Sequence, residues 1–306
     1  MARHTGGARL MTMPTVLAPT TGPEVVELVR EAHAATRALR IVGAGRWSEA
    51  GHPVHAQDTL SLASLRGIVA YRPDDLTITV EAGTTLADID AATRERRQWC
   101  PLLAWGDDEG TVGATLATAT TGPFAESLGR PRDLALGIEA VDGTARMIVA
   151  GGRVVKNVAG FDLTRAIVGA WGTLAVITRA HLRLRPRPQV DETLAFTPRD
   201  GFPELPVAPL AAFALTSDLA ARLGVADARW LVRLGGNATA VAAMRSTLAS
   251  AGRVHALEES AWSVVRRECA PPSPVAQWRW NTLSRQLRDR FDPLHILNPG
   301  LLGESR

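Results

Sequence analysis

The 306-residue sequence has two cysteines, Cys100 and Cys269, one lysine, Lys156, and one tyrosine, Tyr71. Two cysteines far apart, with no CxxC, argue against a disulfide scaffold, a zinc ribbon or an iron–sulfur centre held by this chain alone. Long apolar runs are missing as well. The longest charge-free stretch is Gly110–Ala125, rich in Thr and Gly, and another is Leu205–Ser217, which contains Pro206 and Pro209. Neither offers the roughly 20 apolar residues that a membrane-spanning helix needs. Met1–Arg9 is polar and basic, and no apolar signal core follows it, so a cytoplasmic location is expected.

The composition is that of a folded globular chain, with 46% hydrophobic and 21% charged residues. A net charge of +3 invites a nucleic-acid reading. The arginines are spread along the chain without a basic block or interleaved aromatics, so a mildly basic globular protein is the better reading. Lys156 stands alone among 34 basic residues. A lysine that survives such a bias marks a position suited to a compact ammonium.

Periodicity predicts alternating helices and strands. Thr21 caps a helix with Pro23 in its first turn and Val25, Leu28, Val29 and Ala32 on one face. Leu39–Val42 is a short strand. Ile68–Tyr71 and Leu76–Glu81 are strands, and a helix runs from a cap at Thr84 or Thr85 to about Arg97. Leu134–Val141, Ala145–Val149 and Arg153–Val155 are strands joined by tight turns, Leu163–Val168 is a helix capped by Asp162, and Leu174–Leu184 is a long strand. Arg185-Pro186-Arg187-Pro188 is a stiff connector. Beyond it, Glu192–Phe196, Ala228–Leu234 and Arg253–Leu257 read as strands, Leu210–Leu223 and Ala238–Ala251 as helices, and Thr282–Phe291 as a last helix.

The strand at Leu39–Val42 runs into a glycine loop, Gly43-Ala44-Gly45-Arg46-Trp47-Ser48. It is neither a dinucleotide fingerprint nor a Walker loop, because Ser48 stands where the third glycine would fall and no Gly-Lys-Ser/Thr follows. Alone, it reads as a tight turn; the sharper alternative is a phosphate cradle of backbone N–H groups. Four further glycine-bearing segments change the balance. They are Val80–Leu86, Gly110-Thr111-Val112-Gly113-Ala114, Val154–Leu163 with its KNVAGFDL run, and Gly169–Thr178 with GxxGTLxVIT. A closing Phe291–Gly300 reads FDPxxILNPG.

Together these segments resemble FAD-linked oxidases of the vanillyl-alcohol oxidase/p-cresol methylhydroxylase (PCMH) type. More narrowly they resemble the FAD-binding E subunits of bacterial glycolate oxidases. The resemblance runs from about Ile41 to Pro188 and resumes at Leu287–Gly300. It implies an α+β fold, with a PCMH-type FAD-binding domain of two α/β subdomains over 1–188. A shortened α/β cap over 189–281 and a helix and tail over 282–306, returning to the FAD domain, complete the expected organisation.

The resemblance also implies non-covalent FAD and a set of cofactor-binding residues. Gly43, Ala44, Gly45, Arg46, Trp47 and Ser48 would face its phosphates. Gly110, Thr111, Val112, Gly113, Ala114 and Gly122 would admit the flavin and its ribityl chain. Gly160 and the strand through Ile177 would border the cofactor, and Asn298 would anchor the returning tail. Lys156 is open between neutralising negative charge at the cofactor and an ion pair that supports the fold. Trp99 and Trp105 are expected to pack in the core, with shielding of the flavin as the alternative. No metal site is expected, since His52 and His55 lack further ligands, and no catalytic base is identified.

The implied function is that of an FAD-binding subunit of a glycolate oxidase-like 2-hydroxy-acid dehydrogenase complex. It would pass electrons to an iron–sulfur partner, beside a second flavoprotein subunit, and meet the inner face of the membrane only through partners. The first loop departs from the family in carrying Arg46 and Trp47, and Ala114 and Ala175 stand where glycines are usual. These departures support the alternative, a non-catalytic assembly subunit that kept the fold and lost FAD.

Overall fold

The computed structural model describes residues 15–152, 162–269, 275 and 278–303. The chain begins with a parallel sheet. Strand β1 (Thr15–Leu17), helix α1 (Gly22–Ala34), β2 (Leu39–Val42) and β3 (Asp58–Ser61) follow in order, and the strands lie β1-β3-β2. Thr21 caps α1 by accepting the Glu24 N–H at 3.3 Å. Val25, Val29 and Ala32 are fully buried, one apolar stripe at helical spacing.

A second, antiparallel sheet carries the largest core. Its strands are β4 (Ile68–Arg72), β5 (Thr77–Glu81), β7 (Ala135–Asp142), β8 (Met147–Gly151) and β9 (Ala175–Arg183), in the order β4-β5-β9-β7-β8. Helix α2 (Leu86–Arg94) and strand β6 (Gln98–Trp99) lie between β5 and β7, followed by short helices α3 (Val112–Thr118), α4 (Ala125–Leu128) and α5 (Pro131–Leu134). Helix α6 (Leu163–Ile167) precedes β9, with Asp162 accepting the Arg165 N–H at 3.0 Å. On the central strand, Arg179 sits directly between Glu81 and Glu139, at 2.6 and 3.0 Å. Opposite charges on facing strands favour this register over its neighbours.

After β10 (Arg185–Pro186), which pairs with β6, the chain builds a four-stranded antiparallel sheet. It contains β11 (Val190–Pro198), β12 (Ala211–Ala214), β13 (Trp230–Gly236) and β14 (Gly252–Leu257), with helices α7 (Ser217–Arg222), α8 (Ala238–Ala251) and α9 (Ser260–Glu268). Alternation splits the faces. Leu194, Phe196, Val232 and Leu234 meet Val241, Met244 and Leu248 of α8. Ala195 and Leu231 point the other way, into a core shared with Trp262 of α9 and with Trp99 and Phe124 of the preceding sheet region. Arg233 is buried on that face, over the rings of Trp99 and Phe124, and paired with Asp191 and Glu259 at 2.7 Å each.

Two expectations change. Leu210–Leu223 is not one helix: Ala211–Ala214 pair with Trp230–Arg233 as an edge strand, and only Ser217–Arg222 coil, behind a Thr216 cap. Alanine favours helix locally, but a partner strand with open backbone groups outweighs that preference. Helix α2 stops at Arg94, because the chain turns at Arg97 (φ +52°) into β6. The strand expected at Arg153–Val155 lies outside the described residues.

The last described element is α10 (Thr282–Phe291) and its tail. The tail lies along β2, where the Leu39 N–H donates to the Ile296 carbonyl at 2.7 Å and the Asn298 N–H donates to Leu39 at 2.9 Å. Asp292, fully buried, accepts the N–H groups of Ile296 and Leu297 at 3.0 and 2.8 Å. Burial raises its pKa, and those two hydrogen bonds only partly offset the rise.

Candidate cofactor site

The segment after β2 opens away from its sheet. Gly45 takes φ +74°, and the Ser48 N–H and hydroxyl both donate to the Gly45 carbonyl, at 3.2 and 2.8 Å. Among the described residues nothing accepts from the N–H groups of Ala44, Gly45, Arg46 and Trp47. Opposite stands the first turn of α3, which Thr111 caps by accepting the Ala114 N–H. The two walls touch at Gly43: a Cβ there would lie 2.3 Å from Thr111 Oγ1. Gly113 is equally constrained, since its Cβ would meet that of Ala82 at 2.8 Å. Glycine is required at both positions for the walls to approach.

Between these walls and the start of β9 lies a cavity of about 360 Å³. All six residues Gly43–Ser48 line it, as do Gly110, Thr111, Gly113, Ala114, Ile177 and Asn298. Val112 does not: its side chain is buried in the main core. Gly122 does not either. A Cβ there would strike the Leu103 carbonyl oxygen at 1.9 Å, so close contact with that chain explains the glycine. Lys156 and Gly160 lie outside the described residues. Trp99 packs in the shared core, whereas Trp105 lines the cavity.

Asn298 reaches the site from the tail. Its Oδ1 accepts the Ile41 N–H at 2.7 Å, and its Nδ2 donates to the Trp171 carbonyl at 2.9 Å. Trp171 in turn packs edge-on against Trp47, with centroids 5.6 Å apart. Trp47 is therefore held in a small apolar cluster with Leu301, at the border of the cavity.

Residue reasoning missed part of the lining. Thr115 and Thr118 share a helix face with Thr111, and their hydroxyls donate to the Thr111 and Ala114 carbonyls at 3.0 and 2.8 Å. A hydroxyl that donates inward keeps lone pairs for a ligand. That i, i+4, i+7 threonine stripe was the available signal. Asp107 and Arg267 come from other elements and gave none. Among the described residues, the ionisable ones lining the cavity are Arg40, Arg46, Asp107 and Arg267. Cys100 is not among them, and burial pushes its thiol up to about 12, which keeps it protonated. Among the described residues no three of His, Cys, Asp and Glu gather as metal ligands. No helix among them is long and apolar enough to cross a membrane.

A cleft with open backbone donors, threonine hydroxyls, guanidinium groups and walls brought close at Gly43 and Gly113 suits a ligand with a diphosphate, many hydroxyls and a flat ring. The fold and the cleft define an FAD-binding fold. Residues 13–151 match the family described as an FAD binding domain. A solved alkyldihydroxyacetonephosphate synthase shares the fold, with a TM-score of 0.68 at 13% identity, over 93% of this chain and 76% of that one.

Within that class the chain is similar to glycolate oxidase subunit GlcE of Escherichia coli. The two are 37% identical over 172 residues, 56% of this chain and 49% of the relative. It is also similar to a D-lactate dehydrogenase of Archaeoglobus fulgidus, 41% identical over 107 residues, 35% of this chain and 24% of the relative. The chain therefore spans about half the length of the first of these relatives and less of the second.

Proposed function

We propose that this chain is an FAD-carrying subunit of a 2-hydroxy-acid dehydrogenase complex of the glycolate oxidase type. The observation that carries the reading is the glycine loop with unpartnered N–H groups, facing α3 across one cavity that β9 and the tail close. FAD bound there supplies hydride and electron transfer. The chain's own residues bind and orient it. Loop N–H groups and Arg46 meet the negative charge of the diphosphate, Gly43 and Gly113 keep the walls close, and Trp105 and Trp171 exclude water.

Arg267 brings a cation to the cavity from α9 and suits an anionic reactant. Oxidation of a 2-hydroxy acid also needs a group to take the hydroxyl proton. Among the described residues that line the cavity Asp107 is the one carboxylate, and Arg46 already holds it at 3.0 Å. In our reading a partner flavoprotein subunit oxidises the acid, and this chain relays electrons toward an iron–sulfur subunit. Contact with a membrane then comes through partners. We take 1–188 as the FAD domain, 189–281 as a shortened cap and 282–306 as the returning tail.

The test is the visible absorption spectrum of the purified chain, before and after addition of FAD and removal of the excess. Flavin that is retained and not bleached by glycolate or D-lactate supports the relay reading. Bleaching by either acid makes the chain a dehydrogenase by itself. A colourless chain that refuses FAD overturns both readings and favours an assembly subunit.

A further inference from the structure

Ala104, Trp105, Gly106 and Asp107 line one side of the cavity. Their segment, 104–108, belongs to no helix or strand, so its place depends on single anchors. Two are backbone bonds to the FAD domain. The Trp105 N–H donates to the Thr121 carbonyl at 2.7 Å, and the Ala87 N–H donates to the Asp108 carbonyl at 2.9 Å. Three more come from the cap, and they converge on one residue.

That residue is Arg266 of α9. Its Nε donates to the Ala104 carbonyl at 2.7 Å, its own carbonyl accepts the Gly106 N–H at 2.8 Å, and its Nη1 pairs with Oδ1 of Asp108 at 2.8 Å. Residues 104, 106 and 108 are thus gripped in turn from the cap. Arg266 is buried, at 4% exposure. A buried guanidinium is tolerated only with its acceptors in place, so the segment cannot drift from Arg266 without leaving a charge unpaired out of water. Trp105 lies between two of the gripped positions, and its ring meets Phe213 of β12 edge-on, with centroids 5.9 Å apart. Arg266 is not among the residues that line the cavity; its effect on a bound ligand passes through this segment.

We propose that Arg266 is a positioning residue for the cofactor: from the cap it fixes segment 104–108 and so sets where Trp105 stands against bound FAD. The proposal rests on FAD occupying this cleft. It makes docking of the cap part of cofactor binding, because a residue of one domain shapes the cofactor wall of the other. Lysine cannot take over this role. Its ammonium is a point charge, whereas the guanidinium fork reaches the Ala104 carbonyl and the Asp108 carboxylate at once.

The experiment measures FAD affinity of the full chain by flavin fluorescence, at a temperature below the melting point of each FAD-free protein. Arg266→Lys is expected to weaken FAD about tenfold or more. Arg233→Lys is the control: it disturbs the same cap contact, but at Trp99 and Phe124, and is expected to lower the melting temperature while leaving FAD affinity unchanged. Trp105→Ala is expected to weaken FAD in the wild-type background and to add little to Arg266→Lys, since both undo one arrangement. Asp108→Asn loosens the grip at its half-exposed end. It is expected to fall between wild type and Arg266→Lys, and it decides the matter if the lysine variant does not fold. Wild-type protein that takes no FAD removes the reading beneath the proposal and the proposal with it. Wild-type protein that binds FAD, with Arg266→Lys or, failing that, Asp108→Asn binding as well, overturns the proposal alone. Equal loss in Arg266→Lys and Arg233→Lys, or full additivity of Trp105→Ala with Arg266→Lys, assigns Arg266 to general stability and also overturns it.

Discussion

Asn298 and Ile41, 257 positions apart, are joined by a 2.7 Å hydrogen bond that fixes the C-terminal tail to the strand leading into the glycine loop. The same amide satisfies the Trp171 carbonyl, and Asn298 itself adopts φ +45°, a conformation asparagine tolerates better than most residues. Asn298→Ala leaves a buried donor and a buried acceptor without partners. We expect a loss of about 2–4 kcal/mol in urea unfolding, and release of FAD on gel filtration. Asn298→Asp, which keeps the acceptor alone, is expected to lie between. Unchanged stability in the alanine variant would contradict the role given to this side chain.

Gly43→Ala tests the contact between the cleft walls. The added methyl would lie 2.3 Å from Thr111 Oγ1, so one wall must move. Loss of FAD retention is expected, with a drop of about 1–3 kcal/mol in stability. Replacing Thr111 by Ala in the same protein removes the atom that is struck, at the expense of the α3 cap. Partial recovery of FAD binding in the double variant, by titration, is the diagnostic result.

Arg233 is a second sensitive point, not among the residues that line the cavity. It is buried between Trp99 and Phe124 while pairing with Asp191 and Glu259. Removing one member of such a set leaves carboxylates facing a gap, so Arg233→Ala is expected to cost about 3–5 kcal/mol in chemical denaturation. Arg233→Lys should recover little, because a point charge cannot hold two carboxylates and stack on two rings. Full stability in the lysine variant would show that charge alone is enough.

The start of α2 gives a pH signature. Burial of Asp88 raises its pKa, but hydrogen bonds from the Thr85 side chain and backbone, and the charge of Arg66, outweigh this and hold it below the ordinary 3.8. The folded protein therefore binds this proton less readily than the unfolded chain. Its contribution is present above about pH 4 and is lost as pH falls through the folded value. Asp88→Asn should flatten the acid limb of the stability curve, measured as urea midpoint against pH. An unchanged acid limb would remove Asp88 from the cause.

What the sequence revealed follows from which forces are local. The caps at Thr21 and Thr85, the stripe Val25–Val29–Ala32 and the alternation of β9 were readable because side chain and neighbouring backbone decide them. The alanines of β12 were misread, since their strand exists through pairing with β13. Helix α3 was not foreseen: Gly113, Thr115 and Thr118 are poor helix formers, and it packs on β9 and β5 all the same. In the cleft, glycines announced the walls. Asp107 and Arg267 carry no pattern, because what brings them to the mouth is the docking of α9, 162 residues beyond the Ala104 carbonyl that Arg266 holds.

The tail's place beside β2 also has a meaning in time. Residues 39–48 and 110–118 leave the ribosome long before Asn298, yet the cleft they form has one border missing until that residue is made and folded back. A nascent chain can build its sheets early, but the cleft gains this border only once Asn298 has emerged and folded back onto Ile41 and Trp171.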